Sequence, residues 1–119
     1  MIAVEDLTAE QQQLRDEVKV ESNVADYIVR LVAATREHRD VALGASPRAS
    51  ISMYRLCQAR AWLSGQRHVE PDLVKELAPS VLCHRLMLKP QSRLAGVTQS
   101  QVVEELLKIV EVPVRRLKD

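Results

Sequence analysis

Aromatic side chains are scarce: Tyr27, Tyr54 and Trp62 are the only three in 119 residues, and phenylalanine is missing. A core of aliphatic side chains, alanine and methionine must therefore carry the fold, which suits helices packed on helices better than sheets. Glycine is equally rare, at Gly44, Gly65 and Gly96. None of them opens a GxxxxGK[ST] phosphate loop, a GxGxxG dinucleotide turn or a GxSxG nucleophile elbow, so those chemistries have no seat here. Two cysteines, Cys57 and Cys83, are too few for a disulfide framework and form no CxxC pair. Free thiols fit a reducing compartment, and a cytoplasmic location is the expectation. No apolar run approaches the roughly 18 residues a membrane span needs. The start, Met1 to Asp6, lacks the basic and apolar regions of a signal peptide. The net charge of +1 gives no general reason to bind nucleic acid.

Metal and carboxylate chemistry is no better provided. HExxH and EF-hand spacings do not occur. Cys83 and His84 are adjacent, so on a helix their side chains diverge by about 100°, and His38 and His68 fall in or beside loops without a paired ligand. The carboxylate pairs Asp16-Glu17 and Glu104-Glu105 sit on polar helix faces, where solubility explains them. Charge is nonetheless uneven: residues 1–26 hold seven acids against two bases, and residues 27–67 hold seven arginines against Glu37 and Asp40.

What is present is helical periodicity. A first stretch from Thr8 to Lys19 has a capping pattern at Thr8 and Gln11 and a thin apolar side at Leu7, Leu14 and Val18. A second is capped by Ser22, with Val24, Tyr27, Ile28, Leu31, Val32 and Thr35 on one face. Arg36, His38 and Arg39 near its end would complement the helix dipole. A loop from Arg39 to Ala45 leads into a third, with Ser46 as N-cap and Pro47 at the first helical position. Its expected buried stripe is Ala49, Met53, Leu56, Ala59 and Leu63, flanked by Ile51 and Trp62, and Gly65 ends it. After an extended Arg67 to Val69, Pro71 opens a fourth helix with Asp72 in its first turn and Leu73, Val74 and Leu77 inward. Pro79 interrupts it, and a break or a restart into Ser80 to Leu86 is expected. Residues 89–97 read as a polar loop. Thr98 caps a last helix, with Val102, Val103, Leu106, Leu107 and Val110 inward, and Pro113 stops it. The fold class is all-α, a small bundle of four to five helices forming one domain over residues 1–119.

One constellation carries chemistry, Gly44-Ala45-Ser46-Pro47-Arg48. The start of a helix presents unpaired N–H groups and a partial positive charge. An arginine in that first turn opposes the dipole, at a cost of about 0.3–1 kcal/mol. A bound phosphate reverses the sign, because arginine and helix end then both favour it. Local physics leaves two outcomes: Arg48 points into water, or it meets an anion.

The order Tyr27-Ile28-Val29-Arg30-Leu31-Val32, Thr35-Arg36-Glu37 and Leu43-Gly44-Ala45-Ser46-Pro47-Arg48-Ala49 resembles the C-terminal lid of MoxR-type AAA+ ATPases. The likeness continues through Ala59-Arg60-Ala61, Gly65-Gln66-Arg67, Val69 to Val74 and Val81 to Leu86. Cys83 and Met87 depart from the pattern without disturbing it. The resemblance implies a lid beside an α/β nucleotide-binding core, with Arg48 as the sensor 2 arginine on the phosphates of ATP and Ser46 and Pro47 positioning the helix start. ATP with magnesium is then the cofactor of the parent protein, and the piece alone holds no nucleotide tightly. The implied partners are the core of the same chain and neighbouring subunits, in a hexamer that remodels a client complex. Nucleic acid and membrane are not among them. His84-Arg85 also matches; helix capping and contact with the core or a neighbour are both open for it.

The absence of a core motif makes this an inactive fragment on that reading; the sequence leaves open whether Met1 is a natural start or a chosen boundary. Two other readings stand beside it. One is a free-standing interaction module whose arginine-rich helices meet an acidic protein. The other is a DNA-binding bundle that uses Arg48, Arg55 and Arg60.

Overall fold

The computed structural model describes residues 17–113. The first expected stretch, Thr8 to Lys19, falls almost wholly outside the described residues. Helix α1 (Ser22–Thr35) buries Val24, Tyr27, Ile28, Leu31, Val32 and Thr35, the face its periodicity predicts. Ser22 is its first helical residue rather than its cap. The chain turns in at an extended Glu21, and no side chain caps the end. Arg36, His38 and Arg39 lie beyond the last turn and do not serve the dipole; they tie the following loop to the bundle.

That loop contains a short strand, β1 (Val41–Leu43), where the sequence reading places no regular structure. It pairs antiparallel with β2 (Met87–Leu88), joining Val41 to Leu88 and Leu43 to Met87. Strands of two and three residues leave no alternation to detect.

Helix α2 (Arg48–Leu63) packs on the helix before it and the helix after it. Its buried residues are Ala49, Met53, Cys57, Gln58 and Ala61, so the expected stripe is displaced. Leu56 and Leu63 are 39% and 76% exposed, and Ala59 is only half-buried. The buried face mixes the small Ala49, Cys57 and Ala61 with Met53 and with Gln58, whose amide donates to the Val18 carbonyl at 3.0 Å. Gly65, at φ +77°, closes the helix. The N–H of Gln66 donates to the Ala61 carbonyl (2.8 Å) and that of Gly65 to Trp62 (3.0 Å), both bonds of a Schellman cap.

Lys19 bridges in parallel to His68, fastening the start of the described chain to the extended link after α2. Helix α3 (Pro71–Leu82) then runs straight through Pro79, contrary to the expected break. The proline removes one N–H near a helix end, and the chain tightens into a 3₁₀ turn at Cys83–Arg85 directly afterwards. Val74, Ala78 and Leu82 are buried, whereas Leu73 and Leu77 are half-buried.

The expected polar loop holds a short helix, α4 (Pro90–Leu94), opened by its proline and anchored by the buried Ser92. Helix α5 (Gln99–Ile109) starts with a full capping box, in which Thr98 and Gln101 satisfy each other's backbone N–H groups. It buries Val102, Val103 and Leu106, leaves Leu107 and Val110 half-buried, and ends before Pro113. The bundle is all-α apart from the two-stranded pairing.

Candidate functional site

Ser46, Pro47 and Arg48 all stand exposed at the start of α2. Pro47 stands at the N-cap rather than at the expected first helical position, although its angles are already helical, φ −56° and ψ −25°. No side chain caps this end, so the expected N-cap role of Ser46 is not taken by its hydroxyl. Its carbonyl acts instead, accepting from Ala49 N–H at 2.9 Å, while the Pro47 carbonyl accepts from Ser50 at 3.0 Å. Two of the orphan donors of the first turn are thereby used, and the proline has none. The end keeps its positive dipole and a charged guanidinium, but it is not a full cradle of free amides. Among the described residues the Arg48 side chain has neither a hydrogen bond nor an ion pair.

The approach to this helix is tightly held. Thr35, fully buried, donates its hydroxyl to the Val32 carbonyl (2.6 Å) and accepts from the Ala45 N–H (2.9 Å). Arg36 Nη1 donates to the Ala45 carbonyl at 2.9 Å. Gly44 presses on the same residue: a Cβ there would lie 2.7 Å from the Arg36 N, Cα and Cγ. Periodicity puts Thr35 on the buried face and Arg36 near the helix dipole. A long-range side-chain bond to a backbone group leaves no periodic signal, so their convergence on Ala45 is not visible in the sequence.

His38 and Arg39 are occupied elsewhere. The buried His38 accepts from the Asp40 N–H through Nδ1 (3.0 Å), which places the neutral ring's proton on Nε2, 3.2 Å from Glu105. Arg39 donates to the other Glu105 oxygen at 2.9 Å. The Arg39 and His38 hydrogen bonds hold the Glu105 carboxyl below the usual carboxylate range. Glu105 of the expected solubility pair thus braces the β1 loop against α5. Asp40 also accepts from the Ser92 hydroxyl at 2.8 Å.

The arginine-rich middle of the chain divides accordingly. Arg30 bonds Asp26 and the Glu111 carbonyl and lies over the Tyr27 ring. Arg36, Arg39 and Arg67 meet Ala45, Glu105 and Glu17. Arg48, Arg55 and Arg60 remain on α2; Arg48 and Arg55 are seven residues and almost two turns apart, so they share a face. Beside them α1 and α2 enclose a groove of about 510 Å³ lined by Ile28, Val29, Ile51, Tyr54, Arg55 and Gln58. Val29 and Ile51, at 53% and 54% exposure, are apolar surface without internal cover among the described residues.

His84 and Arg85 lie in the 3₁₀ turn, beside a second hollow with Ser52 and Leu56. Arg85 reaches Ser52 Oγ at 3.5 Å, and neither residue makes a capping bond. Cys57 is buried, and burial pushes its thiol up to about 11; Cys83 is half-buried. Among the described residues no three His, Cys, Asp or Glu side chains come together to hold a metal ion, and no helix is long and apolar enough to cross a membrane.

A family model described as the AAA lid domain matches residues 33–106. The uncharacterized protein YeaC of Bacillus subtilis is 39% identical over 98% of this chain and 36% of its own length. The chaperone MoxR1 of Mycobacterium tuberculosis is 34% identical over 76% of this chain and 26% of its own. Among solved structures, a candidate ATPase from Cytophaga hutchinsonii superposes with a TM-score of 0.83 and 28% identity, covering 92% of this chain and 36% of that one. The chain therefore spans about a third or less of the length of these relatives.

Proposed function

This chain belongs to the AAA lid domain family, of the MoxR type, and we propose that it is the helical lid of an ATP-hydrolysing machine in which Arg48 is the sensor 2 arginine. The single observation that carries the assignment is the position of Arg48. It is an exposed cation in the first turn of α2, with no partner among the described residues and with the helix dipole adding to its own charge. A guanidinium so placed lacks an anion, and a planar fork of N–H donors fits phosphate oxygens in pairs. When ATP with magnesium is bound in the parent protein, Arg48 would touch the phosphates and help offset their charge.

The chain itself has no phosphate-loop motif, so residues 1–119 act as one lid domain that lends Arg48 to a core and hydrolyses nothing alone. The groove beside Arg55, with Val29 and Ile51 at its rim, gives that core apolar surface to cover. The wider reading is a hexameric, cytoplasmic remodelling machine acting on a client complex, in keeping with a relative named as a chaperone.

The test is Arg48→Ala in the lid joined to its core. ATP hydrolysis should fall roughly a hundredfold. The thermal stability of the lid should stay within about 0.5 kcal/mol, as for other surface substitutions. Hydrolysis at the normal rate would show that Arg48 is not the sensor.

A further inference from the structure

We infer that Thr35 and Arg36 are positioning residues for Arg48, fixing the direction in which the chain leaves Ala45 and thus where the guanidinium can reach. The functional meaning of this rests on the sensor reading of Arg48; the geometry does not.

The Ala45 N–H belongs to the rigid peptide plane shared with Gly44, and its carbonyl to the plane shared with Ser46. Thr35 holds the first and Arg36 the second, at 2.9 Å each. Anchoring both planes fixes the two rotations at the Ala45 Cα. Gly44, packed without room for a side chain against Arg36, prevents the clamp from sliding.

Beyond the clamp little freedom remains. Ser46 precedes a proline and is confined to extended angles by the ring. Pro47 has its φ set by that ring and sits at −56°. Arg48 then begins the helix. The three residues before the sensor are thus stiff for three separate reasons, and they connect it to the C-terminal end of α1. A pull on Arg48 by a phosphate is passed to α1 through Thr35 and Arg36, as well as to the core through Ala49 and Met53.

The rival account is that the packing of α2 alone directs Arg48. Three variants separate the two. Thr35→Val keeps the shape but removes the acceptor for Ala45 N–H, Thr35→Ser restores a hydroxyl, and Arg36→Met keeps an apolar stem at the surface without its donor. In the 119-residue chain, residual dipolar couplings of the Ala45 to Ser50 N–H vectors would be referred to those of α1. Thr35→Val and Arg36→Met should each shift the Arg48 couplings, and exchange of the Ala45 amide in Thr35→Val should speed up by roughly tenfold or more. Thr35→Ser should return both to the wild-type values. Unchanged Arg48 couplings in Arg36→Met, a surface change that keeps the measurement open should Thr35→Val not fold, would overturn the inference.

Hydrolysis by the lid joined to its core gives the second readout. Arg36→Met should lower kcat roughly tenfold, with KM for ATP little changed, and should lower it no further once Arg48→Ala is present. If Arg48→Ala slows hydrolysis and Arg36→Met does not, the positioning role fails and the sensor stands. If Arg48→Ala has no effect, the sensor fails and the couplings alone decide the positioning role.

Discussion

Adding one methyl group at Gly44 should destabilise this domain for a reason unrelated to backbone conformation. The φ of Gly44 is not positive, so alanine can adopt its angles. A Cβ would nevertheless meet Arg36 N, Cα and Cγ at 2.7 Å, about 0.7 Å inside ordinary contact. Two of those atoms are backbone at the end of α1, where Arg36 N–H is bonded to the Ala33 carbonyl at 3.1 Å. They cannot swing aside as a side-chain tip could. Relief requires the β1 loop to lift from α1, which lengthens the bonds from Thr35 and Arg36 to Ala45. Overpacking of this kind costs about 1–3 kcal/mol, and the entropy lost from the unfolded chain returns about 0.4–1 kcal/mol. The net loss of about 1–2 kcal/mol corresponds to a fall in Tm of roughly 4–10 °C for a domain of this size. Thermal and urea unfolding followed by far-UV circular dichroism would measure it. Gly65 is the control. It sits at φ +77° with nothing within 4 Å of where a methyl group would stand, so asparagine, which tolerates that region, should be accepted there and rejected at Gly44. A Gly44→Ala variant as stable as the wild type would refute the tight approach of this loop to Arg36.

Two further outcomes follow from buried groups. The Tyr27 hydroxyl is buried with no hydrogen-bond partner among the described residues, so Tyr27→Phe should leave stability unchanged or raise it by about 1 kcal/mol, read by urea unfolding. Cys57 keeps its proton to about pH 11 in the folded state because burial disfavours the thiolate. Its folded value lies above the unfolded one, so its contribution is present below about pH 8.5 and is lost as pH rises towards 11. Stability measured from about pH 7 to 11 should therefore fall less in Cys57→Ala, once its lower starting value is subtracted.

The sequence disclosed what depends on neighbours in the chain. The face of α1, the glycine cap of α2 and the threonine start of α5 each rest on residues within a few positions of one another, and all three stand where their patterns place them. The errors are longer-range. Helix α2 touches helices on both sides, and those contacts turn Ala49, Met53, Cys57, Gln58 and Ala61 inward while Leu56 and Leu63 remain outside. The strands β1 and β2 exist only because each finds the other about 45 residues along the chain. Pro79 is tolerated because the helix is about to end. At the candidate site, Arg48 is marked by its place after a serine and a proline at a helix start. The clamp on Ala45 is hidden, since it joins side chains at the end of one helix to the backbone of a residue nine and ten positions away.

The small sheet also bears on how the domain assembles. Pairing Val41 with Leu88 closes a loop that contains all of α2 and α3. Closing so long a loop loses chain entropy before the two short strands return any bonding. Helices α2 and α3, adjacent in sequence and packed together, gain their contacts at far smaller separation. Folding is therefore expected to begin with that hairpin of helices and to finish at the strands. The last step of assembly is then the one that brings the β1 loop, and with it the approach to Arg48, into its final place.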